Sequence, residues 1–182
     1  MTRSTVLIVP GLGDSGPEHW QSLWESTDPR FRRVRQRDWD RPSLPKWVEA
    51  LDIAVRGVTK PPLIVAHSLG CALVAHWFGR LRRPVAAALL VAPADVDSPD
   101  HTPAEVRCFR PMPLDRLPFP TIVVGSSDDP YVAPARARWF AQRWGSRFVL
   151  IEGAGHINTE SKLGEWPEGQ RLLDALESEA ST

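Results

Sequence analysis

A short apolar run, Leu63-Ile64-Val65-Ala66, passes directly into His67-Ser68-Leu69-Gly70 and then into a helical pattern from Cys71 to Arg82. A buried strand that enters a helix without a spacer needs a tight turn. A serine in that turn carries its hydroxyl above the edge of the sheet. Ala66 and Gly70 flank it as small residues, as the close approach of neighbouring backbone requires.

The same alternation recurs along the chain. Apolar β-branched runs lie at Thr5 to Val9, Val85 to Ala92, Thr121 to Gly125 and Phe148 to Ile151, with a weaker strand near Phe31 to Gln36. Between them, helical patterns cover Pro17 to Glu25, Pro45 to Val58, Ala133 to Trp144 and Pro167 to Glu179. Strands alternating with helices predict a layered α/β domain with a parallel sheet of about six strands. The segment from Pro93 to Pro118 holds six prolines and no sustained periodicity, and it reads as an irregular excursion over the sheet. At 182 residues the chain fits one domain, 1–182, able to bury roughly 70% of its unfolded surface.

Charge excludes several functions. Lys plus Arg and Asp plus Glu both number 22, so nothing draws the chain to nucleic acid or to an anionic membrane. The basic run from Arg30 to Arg37 is interrupted by apolar residues and reads as a solvated strand edge. Cys71 and Cys108 are too few for a disulfide framework, which fits reduced thiols and a cytoplasmic location. Val6 to Val9 is too short for a signal-peptide core, and no apolar stretch approaches the ~20 residues that span a bilayer.

A serine hydroxyl is a weak nucleophile until a base takes its proton. His156 is the best-placed base, on the glycine-rich Gly153-Ala154-Gly155 loop after the last strand. The orienting carboxylate is expected between serine and histidine in chain order. Asp128 and Asp129 both follow the Thr121 to Gly125 strand, and spacing does not separate them. Asp95 and Asp97, one strand earlier, are weaker candidates. An oxyanion would need backbone donors: Leu69 at the start of the helix after the serine, and Leu12 between Gly11 and Gly13.

Taken together, Pro10-Gly11-Leu12-Gly13 with Glu18-His19-Trp20, His67-Ser68-Leu69-Gly70, Asp128-Asp129-Pro130 and Gly155-His156-Ile157-Asn158 resemble a known family. They are similar to the small lidless serine hydrolases related to retinoblastoma-binding protein nine, and most to the bacterial YdeN-like members. The resemblance implies an α/β-hydrolase fold, doubly wound, with helices on both faces and no large lid domain. It implies Asp129, the aspartate before the proline, as the acid. It also implies hydrolysis of a carboxylic ester, amide or thioester of a small-molecule acyl substrate, with no cofactor.

Gly11-Leu12-Gly13-Asp14-Ser15-Gly16 formally matches a dinucleotide-binding fingerprint, with Asp38 further on. Pro17 opens the next helix in that reading, which leaves Gly16 in the loop rather than packed inside the helix. A third reading keeps the hydrolase scaffold for a protein partner, since fold does not fix function. His67 reads as a packing or hydrogen-bonding residue, His76 and His101 as surface or half-buried, and Cys71 as packing. His19 reads first as an anchor of the first helix and second as a pocket residue. Trp20 beside it and Trp166 after the histidine loop are candidates for the pocket wall. Trp24, Trp47, Trp77 and Trp139 read as core. No metal-ligand spacing is present.

Overall fold

The computed structural model describes residues 4–181. Six strands form one sheet: β1 (Val6–Val9), β2 (Phe31–Arg33), β3 (Leu63–His67), β4 (Ala87–Val91), β5 (Thr121–Ser126) and β6 (Arg147–Ile151). All pairings are parallel, in the order β2-β1-β3-β4-β5-β6. The chain runs outward from β1 to β2, then returns to the other side of β1 for β3. That reversal opens a crevice at the carboxyl ends of β1 and β3, where ligands of such sheets bind.

Five helices cover the sheet: α1 (Trp20–Thr27), α2 (Leu44–Arg56), α3 (Leu69–Leu81), α4 (Pro134–Trp144) and α5 (Pro167–Ala180). Successive strand residues face opposite layers. Leu7, Val9, Ile64, Ala66, Leu90 and Val123 pack with α2, α3 and α4. Ile8, Leu63, Val65, Leu89, Ile122 and Val124 pack with α1 and α5. With both faces covered, the central strands are apolar throughout, as parallel sheets require. Every residue of α3 from Leu69 to Phe78 is buried, so the helix behind the serine turn is a core element rather than an amphipathic cover.

Several boundaries differ from the sequence reading. α1 begins at Trp20, not Pro17, because His19 caps it: its Nδ1 accepts the Gln21 N–H at 3.1 Å. β2 stops at Arg33, where the chain turns away from the sheet edge. α3 starts at Leu69, so Ser68 stands directly before the helix. The Pro93 to Pro118 excursion contains one 3-10 turn, Ala104–Phe109, that buries Val106 and Phe109. It forms a wall beside the sheet edge, not a lid domain. Its Asp95 and Asp97 pair with Arg136 of α4 at 3.0 and 3.1 Å, which removes them as candidates for the acid.

The basic run is not a plain solvated edge. Arg33 has a buried side chain that pairs with Asp14 at 2.7 Å and Glu25 at 2.8 Å, and Arg30 pairs with Glu177 at 2.8 Å. These pairs tie β2 to the loop after β1 and to α1 and α5. His76 is likewise buried rather than exposed, because its Nε2–H donates to the Phe109 carbonyl at 2.7 Å. Trp139 is half-buried under the Arg136 guanidinium, 4.3 Å from its ring. Among the described residues no helix is long and apolar enough to cross a membrane.

Candidate active site

Ser68 occupies the turn between β3 and α3 with φ 56° and ψ −122°. A non-glycine residue in this region carries strain of about 1–3 kcal/mol and persists only where the surroundings over-determine it. Here they do. The Ser68 N–H donates to Val91 O at 2.9 Å, and its carbonyl accepts the Cys71 N–H at 3.0 Å. A Cβ on Gly70 would lie 2.3 Å from Val9 O, so α3 rests directly on the end of β1. A Cβ on Gly11 would lie 2.8 Å from Ser68 Cβ and 3.1 Å from the Leu69 nitrogen, so the loop after β1 rests on the turn itself. Cys71, immediately below, is fully buried, and burial pushes its thiol up, away from reactivity.

His156 and Asp129 converge on Ser68. His156 Nε2 lies 2.8 Å from Ser68 Oγ, and its Nδ1 lies 2.9 Å from each oxygen of Asp129. Asp129 also accepts the Tyr131 N–H at 2.8 Å and is buried. With the carboxylate accepting from Nδ1–H, the imidazole presents Nε2 as acceptor to the hydroxyl. Ser68, Asp129 and His156 are thus brought within hydrogen-bond distance of one another in turn: serine to histidine, histidine to Asp129.

Asp128, the alternative acid, points elsewhere. Its Oδ1 accepts the Ser126 Oγ–H and the Gly155 N–H, each at 2.8 Å. The Ser126 hydroxyl first, and then the Gly155 amide, hold its carboxyl below the usual range.

Two more histidines stand beside the base. The His67 Nε2–H donates to the His156 carbonyl at 2.8 Å, and the two rings are 4.9 Å apart. Burial holds His67 neutral, well below the ordinary imidazole range. His19 packs 4.8 Å from His67. Burial, then the charges of Arg33 and His156, lower His19 to about 4. Because its Nδ1 accepts the Gln21 N–H, its single proton resides on Nε2. His19 therefore both caps α1 and lines the crevice.

The crevice above Ser68 has a volume of about 340 Å³. Leu12, Leu69, Ala94, Val106 and Tyr131 supply its apolar walls. The Leu69 amide is the first of α3, at the positive end of the helix dipole. Among the described residues neither it nor the Leu12 amide has a hydrogen-bond acceptor, whereas the Gly13 and Asp14 amides are bonded to Trp39 O and Gly11 O. Leu12 and Leu69 both line the crevice with Ser68.

Trp20 and Trp166 do not line this crevice. Both are buried on the α1/α5 face, with ring centroids 5.0 Å apart, and Trp24 joins them. The Trp20 Nε1–H donates to Ile157 O at 2.8 Å, and the Trp24 Nε1–H donates to Glu165 O at 2.6 Å. A satisfied indole can be fully buried, as at Trp20, while Trp166 packs its ring against Trp20 and Trp24; adjacency in sequence to His19 and to the histidine loop does not say which face a side chain enters. Trp20 and Trp24 stand four apart, a spacing that signals one helix face. The walls from Val106 and Tyr131 were missed, since neither follows a periodic pattern.

Gly16 lies in the loop before α1, so the third glycine of the dinucleotide fingerprint is not packed in a helix. Among the described residues no cluster of His, Cys, Asp or Glu could hold a metal ion.

A family model described as serine hydrolase matches residues 6–175. Among solved structures, a YdeN-like hydrolase from Pectobacterium atrosepticum is 34% identical, with a TM-score of 0.87 over 97% of this chain and 91% of that one. The ydeN gene product of B. subtilis is 18% identical, with a TM-score of 0.74 over 95% and 98% of the two chains. A monoacylglycerol lipase from Paleococcus ferrophilus is 14% identical, with a TM-score of 0.69 over 95% and 93%. The last two share the fold. No curated protein matches the sequence.

Proposed function

Because the chain belongs to the serine hydrolase family, we propose that it cleaves a small carboxylic ester, amide or thioester through an acyl-enzyme on Ser68. The observation that carries this reading is the continuous line of hydrogen bonds from Ser68 Oγ through His156 to Asp129.

In the first half-reaction His156 Nε2 takes the Ser68 proton as Oγ attacks the acyl carbon. Asp129 holds the imidazole in its tautomer and stabilises the charge it acquires. The developing oxyanion is received by the Leu12 and Leu69 amides, which carry no other bond to break first. His156 then returns its proton to the departing alcohol, amine or thiol. Water enters, loses a proton to the same nitrogen and attacks the acyl-serine. Collapse releases the acid and restores Ser68. The crevice suits a small acyl substrate, and its walls are apolar near the serine.

The reading is tested by treating the purified protein with a fluorophosphonate probe, followed by peptide mapping. Labelling confined to Ser68, and lost in His156→Ala, is the expected result. Turnover of a chromogenic ester should fall by about 10⁴-fold or more in Ser68→Ala and by about 10⁴-fold in Asp129→Asn. Folded wild-type protein that neither labels nor turns over any acyl substrate would overturn it and favour a scaffold kept for a protein partner.

A further inference from the structure

Asp129 serves the imidazole directly, whereas its neighbour Asp128 has no part in the proton relay. It nonetheless belongs to a compact set of bonds between the loop after β5 and the loop that carries His156. Three successive amides of the histidine loop donate across the gap. Gly153 N–H reaches Ser127 Oγ at 2.9 Å, Ala154 N–H reaches Ser126 Oγ at 3.0 Å, and Gly155 N–H reaches Asp128 Oδ1 at 2.8 Å. Ser126 Oγ–H donates to the same Asp128 oxygen at 2.8 Å. From the other side, Ser161 Oγ–H donates to Ala154 O at 2.6 Å.

The consequence is geometric. Gly155 is the residue immediately before His156, so the acid loop holds the base twice: Asp129 by its ring and Asp128 by the backbone from which the ring projects. Downstream, His67 holds the His156 carbonyl and Trp20 the Ile157 carbonyl, so the Asp128 bond secures the upstream side of His156. Glu152 and Gly153 are exposed, and a Cβ on Gly153 would meet nothing within 4 Å. An ionised carboxylate accepts without donating, and so suits an oxygen that two donors approach.

We propose that Asp128 is a positioning residue of the hydrolysis, fixing the backbone at Gly155 so that His156 Nε2 stays within reach of Ser68. The proposal rests on the assignment of Ser68 and His156 made above. A general base displaced by about 1 Å costs on the order of 100-fold in rate, so the clamp acts on turnover rather than on substrate affinity.

The test compares wild type, Asp128→Ala and Asp128→Asn for hydrolysis of p-nitrophenyl acetate, for the rate of fluorophosphonate labelling and for thermal unfolding. Asp128→Ala should lower kcat by about 10- to 100-fold, leave KM within about threefold and slow labelling in proportion. Asp128→Asn keeps a side-chain carbonyl that accepts both bonds, and should return kcat to within about threefold of wild type. Ser126→Ala removes one donor to Asp128 and one acceptor for Ala154, and should show the same split in a milder form. It also serves as the readout if Asp128→Ala does not fold. An active wild type with unchanged kcat in Asp128→Ala or, failing that variant, in Ser126→Ala, overturns the clamp alone. Equal losses of kcat, affinity and melting temperature in both Asp128 variants overturn it too, by showing general destabilisation. An inert wild type overturns the Ser68 assignment and the clamp with it.

Discussion

Ser68 and His156 sit 2.8 Å apart but are held by contacts of different kinds. The serine turn is fixed by backbone against backbone. Gly70 and Gly11 bring β1, its following loop and α3 to the limit of approach, and Val9, Gly11, Leu69 and Gly70 at these contacts are all buried. The histidine loop is fixed by polar side chains reaching from the next loop, on a stretch that is partly exposed. Steric fixing cannot be adjusted without moving the core, since close-packed interiors do not deform continuously. Hydrogen-bonded fixing can be loosened one bond at a time. The Ser68 turn is therefore part of the fold's core, and the His156 loop is an attachment to it.

Three experiments would break or sharpen this contrast. The largest effect is expected at Gly70. Ala there places a methyl 2.3 Å from Val9 O and 2.9 Å from Pro10 O, both main-chain oxygens, so the sheet must part from α3. Gly70→Ala should cost more than about 3 kcal/mol in denaturant unfolding and abolish turnover. A variant with near-native stability would show that the serine turn is more plastic than described.

Acid separates the two regions next. His19 is held at about 4 against an ordinary value of 6.5, so the unfolded chain binds its proton first. Stability is then full above about 6.5 and declines as pH falls toward 4, by up to about 3 kcal/mol for this one group. His67 is shifted in the same direction. Asp128 has the same sign in a lower window: its lowered carboxyl contributes fully above its ordinary 3.8, and that contribution is lost only as pH falls further. Melting temperature measured from pH 7 to pH 3 should thus fall first through the histidines beside the serine. His19→Asn retains a capping side chain without a titrating ring, and should flatten part of that decline between pH 6.5 and 4. An unchanged profile would mean that the ring is protonated without penalty.

The smallest effect is expected in the histidine loop. Gly153 has φ +63° but open space around it. Gly153→Ala should cost about 1 kcal/mol and lower turnover less than tenfold. A loss as large as that of Gly70→Ala would erase the distinction between the two regions.

Much of this arrangement was legible in the sequence, for reasons that differ by residue. Ser68 could be placed because the strand, the turn and the helix each leave a pattern, and the three are contiguous. His156 could be placed because a glycine-rich loop closes the last strand. The choice between Asp128 and Asp129 was not available from spacing. Both leave the same strand end, and only the partner each side chain reaches tells them apart. Trp20 and Trp166 were misplaced because nearness along the chain does not say which face of the sheet a side chain enters. Val106 and Tyr131 were missed because the segments that present them are irregular, and tertiary packing alone decides their conformation. The buried ion pairs of Arg33 were hidden for a related reason: their partners come from α1 and from a separate loop.

The indole of Trp20 lies between two parts of the molecule that titrate or move. It donates to the carbonyl of the residue after the base, and its ring stands 5.2 Å from His19. Protonated imidazole quenches indole fluorescence at such separations, whereas neutral imidazole does so far less. Acidification should therefore dim the emission of Trp20, one of eight tryptophans, as His19 takes up its proton.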